Sequence, residues 1–451
     1  MSAYEERLGT RKMLPLILSM SLPAVAAQFV NLLYSIIDRI YIGHMPGTGM
    51  LALAGIGITS SVIVLVAAFG QIVGAGGAPL AAMALGEGDR KRAGKFLGNG
   101  FILLIVFSLA LCLPVYIFME PILLLSGASE TTLPYAKDYM SVYLLGTVFV
   151  MISTGLNNFI NAQGRSKTAM ISVLIGAVAN IALDPLFIYV FKMGVKGAAI
   201  ATVISQFCSS VFILKFLFSS KASLRIEKKY IKPDIYIIKK TLALGIAPFV
   251  MASTESLIGF VFNGTLRTYG DIYVSALTVM QSAIQIVGVP LSGFSQGFVP
   301  IISFNYGTGN TKRIKECFII AMTIMFTVNF VLLLLMAIFP VLTASLFTND
   351  TELIDAVGKY MPVFVGGMTI FGLQRCCQNM FIALGQSGTS LFIALLRKVI
   401  LLVPLILIFS RAFGLVGVYA AESVADIVAA TTCTAIFAYR FPKIMKQKEK
   451  R

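Results

Sequence analysis

Three carboxylates, Asp38, Asp184 and Glu255, sit inside long apolar runs, and the first two lie on polar helical faces. Gln28, Asn31, Ser35 and Asp38 fall at i, i+3, i+7 and i+10, which is one side of a helix. Gly176, Asn180 and Asp184 step by four, as do Thr202 and Gln206. Gln281, Gln285, Gly288, Ser292 and Ser295 repeat the theme later in the chain. Hydroxyls and amides in such positions often do no more than join packed helices. Acids differ, because a carboxylate at the centre of a bilayer costs at least about 2.5–3.5 kcal/mol on insertion scales and is a functional candidate by default. Burial and a second nearby carboxylate both favour the neutral acid, so two acids facing one pocket can take up a proton near neutral pH. Equally, Asp38, Asp184, the Asn180 amide oxygen and the Thr202 hydroxyl form an oxygen-rich set suited to a small hard cation. The residues alone do not separate H⁺ from Na⁺. Each acid also has a structural reading: Asp38 adjoins Arg39, Asp184 precedes Pro185 at a potential helix break, and Glu255 has Arg375 as a conceivable partner.

The elements that must carry these residues are membrane spans. Of 451 residues, 57% are apolar and 12% charged, far from the roughly one-quarter charged residues of soluble domains. Apolar runs are expected to form helices near 14–40, 51–84, 93–119, 136–162, 168–190, 195–219, 236–265, 272–303, 312–340, 356–383, 389–410 and 415–440. Backbone groups in lipid must be satisfied within the segment, so spans of this length read as helices and exclude a barrel. The fold class is therefore all-α integral membrane with twelve spans.

The formal charge of +16 sits in alternate loops. Arg90, Lys91, Arg92 and Lys95 follow the second span, Arg165 and Lys167 the fourth, Lys221 to Lys232 the sixth, Lys312 to Lys315 the eighth, and Lys443 to Arg451 the last. By the positive-inside rule these loops and both termini are expected in the cytoplasm. Such a distribution argues for membrane lipid as a partner and against nucleic acid. Met1 to Lys12 lack a signal-peptide pattern, so the first span is expected to be retained. The six cysteines lack metal or redox spacing, and one histidine, His44, cannot form a zinc pair.

Two copies of one unit make up the chain. Pro79, Gly86, Gly88, Asp89 and Arg92 return 221 residues later as Pro300, Gly307, Gly309, Asn310 and Arg313. Gly164, Ser166 and Thr168 return as Gly385, Ser387 and Thr389, and Gly194 and Gly197 as Gly414 and Gly417. Pro23 and Asp38 align with Pro248 and Asn263. Six spans per copy give both copies one orientation, related by a pseudo-twofold along the membrane normal. The expected division is a first lobe at 1–220, a linker at 221–235 and a second lobe at 236–451.

Asn31 to His44, the Gly86–Asp89 loop, Asn180 to Pro185 and Gly293 to Pro300 resemble, in order and in both copies, the multidrug and toxic compound extrusion (MATE) family. The resemblance implies two six-helix lobes in a V, and drug efflux coupled to inward H⁺ or Na⁺. It matches Asp38, Asn180, Asp184 and Thr202 to a first-lobe ion site, Tyr34 to a neighbouring position and Pro23 to a helix hinge. The second lobe departs from sodium-coupled relatives, offering Gln374 and Arg375 on the tenth span where they place an acid. Arg397 and Lys398 are expected to be neutralised by Glu422 and Asp426 in a structural charge network.

These readings lead to a secondary active transporter in the cell membrane, working as a monomer without a cofactor beyond its coupling ion. It is expected to export amphipathic, cationic drugs or toxins. Gln28, Asn31, Tyr34, Ser35, Gln206, Glu255, Gln281 and Gln285 are the expected substrate-cavity residues, and Na⁺ at Asp38, Asn180, Asp184 and Thr202 is one form of the coupling site. A lipid-linked oligosaccharide flippase is the alternative, kept open by Arg375, Arg397 and Lys398. An integral membrane enzyme is more remote, for want of a nucleophile with its base or a metal cluster.

Overall fold

The structure, a computed structural model, describes residues 3–449, the side chains of 3–5 and 256 excepted. A short helix α1 (Ala3–Thr10) precedes the first long one, α2 (Met13–Gly43), which runs unbroken through Pro23. Helices α3 (Gly49–Gly86), α4 (Arg90–Ile117) and the short α5 (Met119–Leu125) follow. Then α6 (Leu133–Leu145) and α7 (Thr147–Ala162) meet at a 59° bend. Gly146 forms that bend, and a Cβ there would fall 2.4 Å from Val203 Cγ2. Helix α8 (Ser166–Pro185) ends in a π turn, Leu186–Val190, and α9 (Gly194–Phe218) closes the first half.

The second half repeats this order. It comprises α10 (Ile235–Arg267), α11 (Asp271–Thr308), α12 (Thr311–Ile338), short α13 (Pro340–Ser345), α14 (Thr351–Gly366), α15 (Phe371–Ala383), α16 (Ser387–Leu395) and α17 (Val403–Glu449). Among the described residues ten helices are long and apolar enough to cross a bilayer, and the bent α6–α7 pair adds one more. The longest, Ser387–Glu449, is broken at Gly414, whose φ of 61° and ψ of −143° no helix contains. Counting it as two gives the twelve expected spans.

Glycine chemistry explains why the repeat is visible. Gly88 and Gly309 both have positive φ, 78° and 75°, which side chains with a Cβ adopt at a cost. The next residue then caps the following helix: Asp89 accepts from Arg92 N at 2.9 Å and Asn310 accepts from Arg313 N at 3.2 Å. Gly164 and Gly385 are likewise paired at 77° and 71°, and Gly194 and Gly414 at 56° and 61°.

A second use of glycine locates the contact between the halves. A Cβ on Gly86 would lie 2.1 Å from Phe304 O, and one on Gly307 2.1 Å from Met83 O. Gly76 meets Thr241 O, Gly245 meets Ile72 O, and Gly293 and Gly297 meet Val25 and Ser21. The backbones of α3 and α10, α3 and α11, and α2 and α11 therefore touch at the end that carries the basic loops. Helix α1 reinforces this seam: Asn305 Nδ2 donates to Leu8 O at 3.0 Å, and Arg313 Nη2 donates to Leu8 O and Arg11 O at 3.2 and 2.9 Å. Toward the opposite end, Gly57, Gly259 and Gly264 have open space where a Cβ would go. The halves close at the basic end and part at the other.

Candidate functional site

Polar residues from four helices converge inside the first half. Helix α2 brings Asp38, α8 brings Asn180 and Asp184 one turn apart, and the broken α6 brings Tyr139. Asn180 and Asp184 are 1% and 0% exposed, and Asn180 Nδ2 donates to Asp184 Oδ1 at 3.2 Å. The Asp38 and Asp184 carboxyls lie against each other, with Tyr34 and Tyr139 beside Asp38. Thr202, on α9, lies beside Tyr139 and so adjoins the cluster.

Three buried oxygens in this cluster have no hydrogen-bond partner: Asp38 Oδ1, Asn180 Oδ1 and Asp184 Oδ2. Orphaned buried acceptors are rare and costly. Two adjoining carboxylates also repel unless a proton or metal cation stands between them. The donor set fits both: an all-oxygen cradle suits Na⁺, and a shared proton would supply the missing donor. Arg39 makes no ion pair with Asp38 among the described residues.

One helical turn toward the basic end lies a cavity of about 210 Å³, lined by Gln28, Asn31, Tyr34, Asn157, Asn158 and Gln206, among others. Its polar walls hold one another in place: Ser153 Oγ donates to Gln206 Oε1 at 2.6 Å and Asn157 Nδ2 donates to Ser172 Oγ at 2.7 Å. Gln28, Gln71, Asn158, Asn161 and Gln296 are shared with a second cavity of about 380 Å³ that reaches the second half at Pro248, Met251, Arg375, Gln378 and Asn379. Among the described residues no acid lines either space.

Of the expected cavity residues, Gln28, Asn31, Tyr34 and Gln206 line these spaces, whereas Ser35, Glu255, Gln281 and Gln285 do not. Gln281 and Gln285 are exposed on α11, continuing the face of Ser292 toward the open end. Glu255 is paired with Lys398, whose Nζ stands 2.9 Å from its Oε1, and not with Arg375, the conceivable partner. This also corrects the expected charge network. Arg397 alone holds Asp426 and Glu422, the latter at 3.1 Å, while Lys398 turns to the seventh span. The fixed rotation of the two adjacent cations on their π turn, Leu396–Leu402, sends them to different neighbours.

The sequence reading missed Gln71, Asn157, Asn158, Asn161, Gln378 and Asn379. A signal existed: the amide pair Asn157-Asn158 recurs as Gln378-Asn379 at the same offset as the glycine loops. His44 sits at an exposed helix end, its Nδ1 lying 2.8 Å from Ile40 O.

The MatE family model matches residues 23–186 and, a second time, residues 248–408. The chain belongs to the MATE family. As a MATE transporter it is a multi-pass membrane protein and not an enzyme. Its similarity to relatives spans nearly the whole chain. The multidrug export protein MepA of Staphylococcus haemolyticus is 25% identical over 413 residues, covering 91% of this chain and 90% of that protein. MepA of Staphylococcus aureus is 26% identical over 406 residues, covering 88% and 87%. Among solved structures, a MATE protein in a bent conformation superposes with a TM-score of 0.91 at 22% identity, over 99% of each chain. An outward-facing multidrug resistance MATE transporter gives 0.91 at 22%, over 98% and 99%. These structural likenesses show the twelve-span MATE fold.

Proposed function

We propose that this protein is a secondary active multidrug exporter of the cell membrane, exchanging amphipathic organic compounds for inward H⁺ or Na⁺ by alternating access. The carrying observation is the trio of unpartnered buried oxygens at Asp38, Asn180 and Asp184, one turn from a cavity that runs to the seam between the halves. A cation, proton or sodium, satisfies that trio only while bound. Binding can therefore favour one arrangement of α2 and α8 over another, which is what coupling requires. Cationic compounds are the first substrate class to test, because two acids in the first half form the surplus of negative charge there. The names of the MepA relatives support export of many drugs.

In this reading 1–220 and 236–451 are two lobes joined by a linker at 221–235, Pro23 is the hinge of α2, and the chain acts as a monomer. Basic loops and both termini face the cytoplasm, so the seam is closed inward and the parted end opens outward.

The test uses purified protein in liposomes loaded with a fluorescent lipophilic cation. Export is driven by an imposed pH gradient and, separately, by an imposed sodium gradient. Asp38→Asn and Asp184→Asn should abolish the driven component while leaving insertion unchanged. Full-rate export by both variants would sink the coupling role of these acids.

A further inference from the structure

We propose that Arg375 is an anion-binding subsite of the inter-lobe cavity, accepting a carboxylate or phosphate oxygen of a transported amphiphile, so that molecules bearing an acidic group join the substrates. The inference rests on the export reading above and adds a specificity residue to it.

The argument starts from the charges of the second half. The charged side chains grouped around α15 and the π turn after α16 are Arg375, Arg397, Lys398, Glu255, Glu422 and Asp426. Arg397 holds Asp426 and Glu422 and stacks 4.2 Å over the Phe371 ring, and Lys398 holds Glu255. Every acid of the group is thereby engaged, and Arg375 makes no ion pair among the described residues. Its hydrogen bond is to Ser292 Oγ, at 2.6 Å. A guanidinium has five N–H donors in a rigid fork, and one hydroxyl engages one of them. The charges that act on it are Arg397 and the already paired Glu255, of opposite sign.

A guanidinium without a direct carboxylate partner at membrane depth is expensive, and such groups face water-filled cavities or partners. Arg375 faces the larger cavity, about 380 Å³, which lies in the range of small-molecule sites. Around it stand the amides Gln71, Gln378 and Asn379 and the apolar Met251 and Val299. That lining supplies neutral hydrogen bonds and greasy surface but no counter-charge. What would complete it is an anionic group on an apolar body, gripped bidentately by the fork. The position 221 residues earlier, Thr154, lines the first cavity with a hydroxyl. The cation is thus a feature of one half and not a packing device of the repeat.

The experiment compares a xanthene dye bearing a free carboxylate with its methyl ester, by fluorescence anisotropy on the full-length protein in detergent. Without a gradient, binding is read even if driven export fails, so the two readings fail separately. The wild type should prefer the acid by about tenfold, the scale of one charge-assisted hydrogen bond. Arg375→Gln should erase the preference, and Arg375→Lys should keep part of it. Equal affinity for acid and ester in the wild type overturns the proposal. So does an equal loss of both in Arg375→Gln, since that marks a packing role. If Arg375→Gln does not fold, displacement from the wild type decides: an alkyl carboxylate or a short-chain phosphatidic acid should displace the acid dye. Displacement by the first assigns a free amphiphile as the source, by the second a lipid headgroup, and by neither removes the subsite.

Discussion

The two halves share turns and helix order but not charge. In the first, Asp38 and Asp184 adjoin each other with three oxygens unmatched around them. In the second, Glu255, Glu422 and Asp426 are all engaged by Arg397 and Lys398. In the proposed reading one half gains and loses a cation, while the acids of the other are paired with basic side chains. The equivalence of the scaffolds shows that the fold tolerates either chemistry. Duplication supplies the symmetry; individual residues set how the acids of each half are partnered.

The sharpest way to break this contrast is to neutralise acids in both halves. Asp184→Asn should remove gradient-driven export completely, and Glu422→Gln should leave most of it, as measured in proteoliposomes. Comparable losses from the two variants would erase the proposed division of labour. Next in size is the removal of the second half's anchor. Arg397→Gln leaves Glu422 and Asp426 buried without their cation and should cost about 3–5 kcal/mol. Thermal unfolding in detergent reads that cost, and adding Asp426→Asn to the same chain should restore part of it. An unchanged melting profile for the single variant would mean that water already neutralises the pair.

Most of the fold was legible because membrane spans and glycine turns leave coarse marks. Apolar runs gave twelve spans, and Gly88 and Gly309 kept their spacing because each must adopt positive φ. Gly86 and Gly307 kept theirs because backbone from the other half passes 2.1 Å from where a Cβ would stand. The acid cluster was legible from i, i+4 steps on α8 and the polar face of α2. Its third wall was not. Tyr139 reaches Asp38 from α6, whose bend at Gly146 has no periodic signature. Cavity walls on α7 and α15 escaped because an amide in a span reads equally as glue between helices. That Lys398 and not Arg375 holds Glu255 was not legible, because spacing along a span fixes neither helix rotation nor which neighbour lies across the groove.

Smaller perturbations probe the seam. Gly86→Ala should strain the closed basic end by about 1–3 kcal/mol through overpacking against Phe304 O. Gly57→Ala and Gly264→Ala, where a Cβ meets nothing within 4 Å, should not disturb it. Pairs of spin labels across the basic end should report a wider distribution for Gly86→Ala alone. Widening in all three would show that glycine flexibility, not close approach, sets the seam.

The smallest expected effect tests equivalence where the halves look most alike. Asp89→Ala and Asn310→Ala each remove an N-cap and should each cost about 1 kcal/mol. The second loss should nonetheless be the larger. Asn310 fixes the turn that carries Arg313, and Arg313 grips both Asn305 and the carbonyls of Leu8 and Arg11. Loosening that turn therefore also loosens α1 beneath the seam, whereas Arg92 pairs locally with Glu87 and Asp89. Proteolysis of the N-terminal segment separates the two: it should accelerate in Asn310→Ala and stay at the wild-type rate in Asp89→Ala. Equal rates would mean that α1 is held by its packing on α11 and not by the Arg313 side chain.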